Sequence, residues 1–286
     1  MVLTGEGADE VFGGYDIFKE AKIRAFCARQ PESRWRPTLL KRLYPYLDFT
    51  RNQSTEILKN YFGAIDEDVQ SPVFSHQPRW NGTAQSMAFL PDSFRTQVAA
   101  GNPEKQLMEK WGDQLGTLGM FNRAQFLEAR TLMPGYLLSS QGDRMLMAHS
   151  VEGRYPFLDH RVIEFANMLP PHLKMRVLKE KYLLKKVASG RLPEEILTRT
   201  KQPYQAPAAA SFFGPDAPEY VGELMSDQKL EEFGYFSTSK VKLLTQKVRQ
   251  SIANGRSISN RDNTSWLTVL STQAWHYTFQ VLRREW

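Results

Sequence analysis

Three carboxylates set among glycines stand at the head of the chain, in Val2-Leu3-Thr4-Gly5-Glu6-Gly7-Ala8-Asp9-Glu10-Val11-Phe12-Gly13-Gly14-Tyr15. Glu6, Asp9 and Glu10 offer hard oxygen donors of the kind Mg²⁺ takes when it travels with substrate phosphates. Gly5 and Gly7 let the backbone turn tightly and come close to a ligand. The apolar pair Val2-Leu3 reads as a short strand and the residues after the loop as an amphipathic helix. The first N–H groups of such a helix supply a positive field for an anion. Two readings fit the spacing: a phosphate or Mg²⁺ site, and a solvated turn with an acidic helix N-terminus. A buried strand at this place has no sequence neighbour to pair with.

Two later segments carry further chemistry. Between Gln141 and Asp159, the charges Asp143, Arg144, Glu152, Arg154 and Asp159 interrupt an apolar, helix-like stretch. Buried charges must be paired, so this set reads either as a salt-bridge network bracing the turn before Pro156 or as a network lining a substrate pocket. His149 lies in the same stretch; its type titrates near neutrality, but with no partner in view a surface or packing role is expected. The other segment is Arg199-Thr200-Lys201-Gln202-Pro203-Tyr204-Gln205-Ala206-Pro207. Lys201, held in a loop bounded by prolines, suits the role of a point charge on a polyphosphate, against the alternative of a generic surface lysine. Lys179, Lys181, Lys185 and Lys186 read as a solvated helix face. There is no Gly-x-Ser-x-Gly elbow, His-Glu-x-x-His pair, Cys-x-x-Cys pair or Walker-type Gly-Lys-Ser/Thr loop.

The elements that must position these groups are almost all helical. Apolar spacing marks Asp16 to Ala28 through Ile17, Ala21, Ala25 and Ala28, then a helix through Leu39, Leu40, Leu43 and Leu47, and a third capped by Ser54. Residues 68 to 90, with Pro72, Pro78 and Asn81-Gly82, read as a surface loop. Helices restart at Pro91 and Pro103, each with proline in its first turn. A strong helix covers 117 to 133, Pro134-Gly135 ends it, and Tyr136 to Ala148 begins the next. A turn at 149–160 leads to helices at about 161–169, 180–189 and 217–226, and Trp266 to Leu282 closes the chain as an amphipathic helix. The expected class is a mostly α chain with one short strand at its edge. A phosphate loop of this kind normally sits at the carboxyl end of a strand in a parallel sheet, and the rest of that sheet is not found in these residues.

Composition narrows the partners. At 286 residues the chain forms one large domain or two smaller ones, and 41% hydrophobic and 24% charged residues are ordinary for a globular protein. No apolar run approaches the roughly 20 residues that cross a bilayer, and no signal peptide is visible. The single cysteine, Cys27, reads as a buried structural thiol and fits a reducing, cytoplasmic setting. The net charge of +6 comes from scattered basic residues without aromatic interleaving, which argues against a nucleic-acid partner.

The three segments in this order resemble the synthetase domain of glutamine-dependent asparagine synthetases. The matching pieces are Leu3 to Tyr15, Asp143-Arg144 through Glu152-Gly153-Arg154 to Pro156-Phe157-Leu158-Asp159-His160-Arg161, and Leu192-Pro193 to Lys201-Gln202-Pro203. The resemblance implies the C-terminal helical part of an α/β PP-loop ATP pyrophosphatase domain. It implies an enzyme that activates the side-chain carboxylate of aspartate with ATP and Mg²⁺, forms an aspartyl-adenylate with release of pyrophosphate, and lets ammonia derived from glutamine displace AMP to give asparagine. By the same resemblance Thr4, Gly5 and Gly7 contact the nucleotide, Glu6 supports adenylate formation and proton transfer, Asp9 helps hold Mg²⁺ and pyrophosphate, and Lys201 neutralises charge building on the phosphates.

The departures from the family pattern are specific. Val2 stands where members carry the nucleophilic cysteine that heads the glutaminase domain, and the Ser-Gly-Gly-x-Asp-Ser ATP loop is not found. Residues 1–286 are therefore expected to be an incomplete synthetase domain that needs a glutaminase and PP-loop portion in cis or in trans. Two other readings stand beside this one. The first is a related amide-forming enzyme of the β-lactam synthetase type, against which Glu6 argues because those relatives tend to carry tyrosine there. The second is a non-catalytic helical remnant that binds a partner through Val2, Leu3 and Phe12.

Overall fold

The computed structural model describes residues 1–46, 50, 52–62, 69–203, 209–215 and 217–282. Among them the chain is mostly helical, with one two-stranded parallel sheet. It divides into two compact units, Met1–Pro78 with Met108–Pro203, and Arg79–Leu107 with Tyr204–Trp286.

The first unit is organised around two helices, α1 (Ala8–Phe12) and α2 (Asp16–Ala28). Three clusters meet α2 from different sides. Ile17 and Phe18 pack with Phe121, Ala124 and Met175; Ile23 and Cys27 with Leu40, Leu43, Leu58 and Phe62; Ala21 and Ala25 with Phe74. A helix enclosed this way buries its charged residues as well, and Lys19, Glu20 and Arg24 are all buried. Each has a partner, as burial of charge requires. Lys19 Nζ lies 3.0 Å from both Asp16 and Glu180, Tyr44 donates its hydroxyl to Glu20 at 2.8 Å, and Arg24 donates to the Phe74 carbonyl at 2.9 Å. Cys27 is free and buried, and burial pushes its thiol pKa up, as a structural thiol requires.

The strand β1 (Val2–Leu3) has a companion after all. It pairs in parallel with β2 (Gly153–Arg154), Val2 opposite Gly153 and Leu3 opposite Arg154. The ladder is closed by Val2 N–H to Glu152 O at 2.8 Å and Thr4 N–H to Arg154 O at 2.9 Å. The partner comes from the segment read as a turn, because two residues give no alternation from which a strand can be recognised. Nor is the strand buried: Val2 is 46% and Leu3 69% exposed.

Several helical expectations hold, and others are corrected. Ser54 caps the helix Thr55–Tyr61, accepting from the Ile57 N–H at 3.3 Å. The leucine run forms a 3₁₀ helix at Arg36–Arg42 that buries Leu40 and leads into buried Leu43; Leu47 lies outside the described residues. The stretch read as a surface loop contains a helix, Gln77–Ala84, and a 3₁₀ turn, Gln85–Phe89. Pro78 falls in the first turn, where its missing N–H costs nothing, so it starts a helix here rather than breaking one. Pro134-Gly135 does not end the helix Met120–Leu132. The chain widens into π-helical turns over Met133–Asp143 and continues as Arg144–Ala148.

The second unit holds two helices that periodicity did not mark, Asp227–Phe233 and Thr238–Ala253. They pack with Asn260–His276 around Trp266, Leu244, Val248 and Leu270. The closing helix is apolar on one face as expected near its start, but Trp275 and Phe279 farther along are about half exposed. No helix of the described residues is long and apolar enough to cross a membrane.

Candidate functional site

Two glycines shape the loop that presents the carboxylates. Gly7 caps the N-terminus of α1 at φ +89°, a left-handed conformation, and a Cβ there would overlap Leu158. Gly14, just past α1, leaves room for Asp9: a Cβ on Gly14 would overlap the Asp9 carboxylate. The loop runs on from β1, and the Glu6 N–H donates to Thr4 Oγ1 at 3.3 Å. Gly5 faces open space, with nothing within 4 Å of where its Cβ would stand.

The three carboxylates part company. Glu10 turns inward, is 3% exposed and accepts the Tyr15 hydroxyl at 2.6 Å. Burial pushes its pKa up, against the opposing Tyr15 hydrogen bond, and its Oε2 has no hydrogen-bond partner. Glu6 and Asp9 remain half-buried. Among the described residues no group of three His, Cys, Asp or Glu side chains gathers as a metal site, so the expected hard-oxygen trio is not assembled. Only one side of the helix α1 faces out, and residues 9 and 10 point to different sides of it.

Asp9 instead sits between two cations. Lys181 Nζ is 2.9 Å from its Oδ1 and Lys201 Nζ 2.9 Å from its Oδ2. Lys201 also lies 5.7 Å from the centre of the Tyr15 ring, a cation–π contact. The sequence-predicted pair Asp9 and Lys201 is thus brought together, with Thr4, Gly5, Glu6 and Gly7 on the turn leading into α1. Lys181 is the residue that sequence reasoning missed. Its spacing with Lys179, Lys185 and Lys186 suggests a solvated face, yet it reaches Asp9, while Lys185 pairs with buried Glu180 at 3.1 Å. No local signal marks Lys181, since a lysine at the start of a helix is ordinary and its partner is far away in sequence.

Most of the second charged segment is paired, but it is not buried. Asp143, Arg144, Glu152 and Arg154 are exposed and Asp159 is half-buried, which corrects the premise that they lie in an apolar interior. Arg154 pairs with Glu152. Arg161 pairs with Asp159 at 2.8 Å and holds its carboxyl well below the usual range, while Asp159 also caps His160–Met168. Tyr155 donates to Asp143 at 2.6 Å, a bond that pushes the phenol pKa up to about 12. His149 is exposed and its Nδ1 meets the Met145 carbonyl at 2.8 Å, in keeping with a surface role.

Two ammonium groups around one carboxylate, beside an open glycine turn, make a site able to hold a multiply charged oxyanion. The family model described as Asparagine synthase matches residues 1–277, and the chain belongs to that family. It is 31% identical to Amidase chry2 of Gibberella zeae over 82% of this chain and 36% of that protein. It is 29% identical to Amidase chyE of Penicillium rubens, again over 82% of this chain and 36% of the relative. With asparagine synthetase [glutamine-hydrolyzing] 1 of Bacillus subtilis it shares 27% identity over 96% of its own length and 40% of the relative's. The chain therefore spans well under half the length of these relatives. No solved structure matches it.

Proposed function

We propose that the chain forms the phosphate side of an ATP-dependent amide-forming site, which activates the side-chain carboxylate of aspartate as an aspartyl-adenylate for attack by ammonia. The observation that carries this reading is Asp9 held between Lys181 and Lys201 at the end of the Gly-Glu-Gly turn. Lys181 and Lys201 bind the β- and γ-phosphates and spread the charge that builds on the leaving pyrophosphate, electrostatic stabilisation being the main catalytic contribution here. The backbone around Thr4, Gly5 and Gly7 approaches the nucleotide closely. Glu6 takes the proton released as the nitrogen nucleophile forms its bond.

The donor set fits a Mg²⁺ that arrives with phosphates better than one caged by protein, because Asp9 is the outward carboxylate and Glu10 is turned inward. When bound, Mg²⁺ would polarise phosphate oxygens, with Asp9 as its protein ligand. Glutamine-derived ammonia and the ATP loop are supplied by a glutaminase and PP-loop portion, in the same polypeptide or another; residues 1–286 are one part of that enzyme. A cytoplasmic setting agrees with this metabolism.

Aspartate-dependent exchange of pyrophosphate into ATP tests the reading. It is expected when this chain is combined with the glutaminase and PP-loop portion, and Glu6→Gln should abolish it. Exchange that persists in Glu6→Gln would remove Glu6 from the mechanism. A second reading is favoured by the two fungal relatives named amidases, which point to amide chemistry on another carboxylate. Exchange driven by a different acid and not by aspartate would select it. Absence of exchange with every acid tried would favour a non-catalytic helical protein that binds a partner.

A further inference from the structure

The segment that carries Lys181 is gripped from α2 by two residues. Lys19 Nζ lies 3.0 Å from Glu180 Oε2, while Lys185 holds the other oxygen at 3.1 Å. Lys22 Nζ donates to the Met175 carbonyl at 3.2 Å and to the Val177 carbonyl. Between these grips the backbone reverses tightly, with Arg176 and Lys179 exchanging N–H···O bonds of 3.1 and 2.9 Å. Val177 sits at φ +56° and Lys181 at φ +49°. A β-branched valine and a lysine in the left-handed region are both strained, and such residues persist only where their surroundings over-determine them.

Helix capping does not account for the strain, since Lys181 makes no side-chain cap on Tyr182–Ala188. What the conformation achieves is aim, with the Lys181 ammonium 2.9 Å from Asp9. Glu180 and Lys19 are each 5% exposed, so the grip is built into the interior. Burial works to raise the Glu180 pKa, but Lys19, the residue's own backbone N–H and Lys185 together hold it down at about 2. The carboxylate is ionised wherever the protein works.

We propose that Glu180 and Lys22 are positioning residues for Lys181, fixing its strained backbone so that its ammonium meets the phosphates of the substrate. This rests on the reading of Asp9, Lys181 and Lys201 as an anion site. The test is calorimetric titration of the chain with inorganic pyrophosphate, for the wild type, Glu180→Gln and Lys22→Met, and for each variant again in a Lys181→Met background, with folding checked by circular dichroism.

Glu180→Gln and Lys22→Met should each weaken binding by about five- to tenfold, and both effects should vanish once Lys181 is gone, the signature of coupled residues. A folded variant that binds as tightly as the wild type overturns the proposal. So does one that loses the same factor in the Lys181→Met background. If Glu180→Gln does not fold, Lys22→Met, whose side chain is only half-buried, decides alone. A wild type that takes up no pyrophosphate overturns the anion site and this proposal with it. A wild type that binds, with Lys181→Met weak and both positioning variants silent, overturns the positioning role only.

Discussion

Lys201 Nζ lies 2.9 Å from Asp9 Oδ2 although 192 residues separate them in the chain. With Lys181 on the other oxygen, Asp9 stands as the counter-ion of two lysines. On the proposed function, a phosphate-bearing substrate would compete with Asp9 for the same cations, and the affinity of the site would then depend on the charge at position 9.

Replacement of Lys201 by methionine should lower kcat/KM in pyrophosphate exchange by about 100-fold or more, the range for losing one charge stabiliser in an organised site. Lys201→Arg should not restore it fully, because a wide, forked guanidinium cannot place its charge at the single point where the ammonium meets Asp9. Steady-state exchange kinetics give the answer, and a Lys201→Met enzyme at wild-type rate would remove the residue from the site.

Asp9→Asn should act in opposite directions with and without metal. Freed of their counter-ion, Lys181 and Lys201 should bind pyrophosphate more tightly when Mg²⁺ is absent, while the gain on adding Mg²⁺ shrinks. Paired titrations with and without Mg²⁺ read both effects, and weaker metal-free binding by Asp9→Asn would contradict the exchange.

Gly14→Ala should cost activity out of proportion to stability, since the added methyl overlaps the Asp9 carboxylate and displaces it. Gly7→Ala should instead destabilise the fold by more than about 1 kcal/mol, because its left-handed φ and the overlap with Leu158 both resist a side chain. Denaturant melts alongside exchange assays separate the two.

Lys174 makes a prediction about pH. It is 2% exposed, and burial pulls its pKa from 10.5 down to about 8. Between pH 8 and 10.5 the folded state therefore binds fewer protons at this residue than the unfolded chain does, and stability at this group rises with pH. The rise amounts to about 3 kcal/mol at most. The stability difference between the wild type and Lys174→Met should shift in the wild type's favour across that window. A difference that stays flat from pH 7.5 to 10.5 would show that Lys174 does not titrate there. Lys174 donates to Gln125 at 3.0 Å, and Gln125 holds the Val11 carbonyl at 3.0 Å, so the titration should also be felt at α1.

Much of this was legible from the residues. The helix Asp16–Ala28 follows from apolar spacing and Thr55–Tyr61 from its Ser54 cap, because such signals are local, whereas the closing helix begins at Asn260, ahead of the Trp266 at which its apolar face suggests a start. Pro78 and Pro134 misled for a related reason. Proline punctuates a helix only by its place within it, and whether a turn widens to accommodate it depends on what packs around it.

The sequence by itself determined the family, the mostly helical class and the glycine-framed acidic turn, all properties of residue type and order. Only the tertiary structure decided where the carboxylates point. Glu10 turns inward to Tyr15, Asp9 outward to two lysines, and Lys181 leaves the solvated face its spacing suggests to meet Asp9. Those outcomes depend on which helix buries which face and on the strained backbone that aims Lys181. Contacts between residues far apart in the chain set both, and no local pattern encodes them.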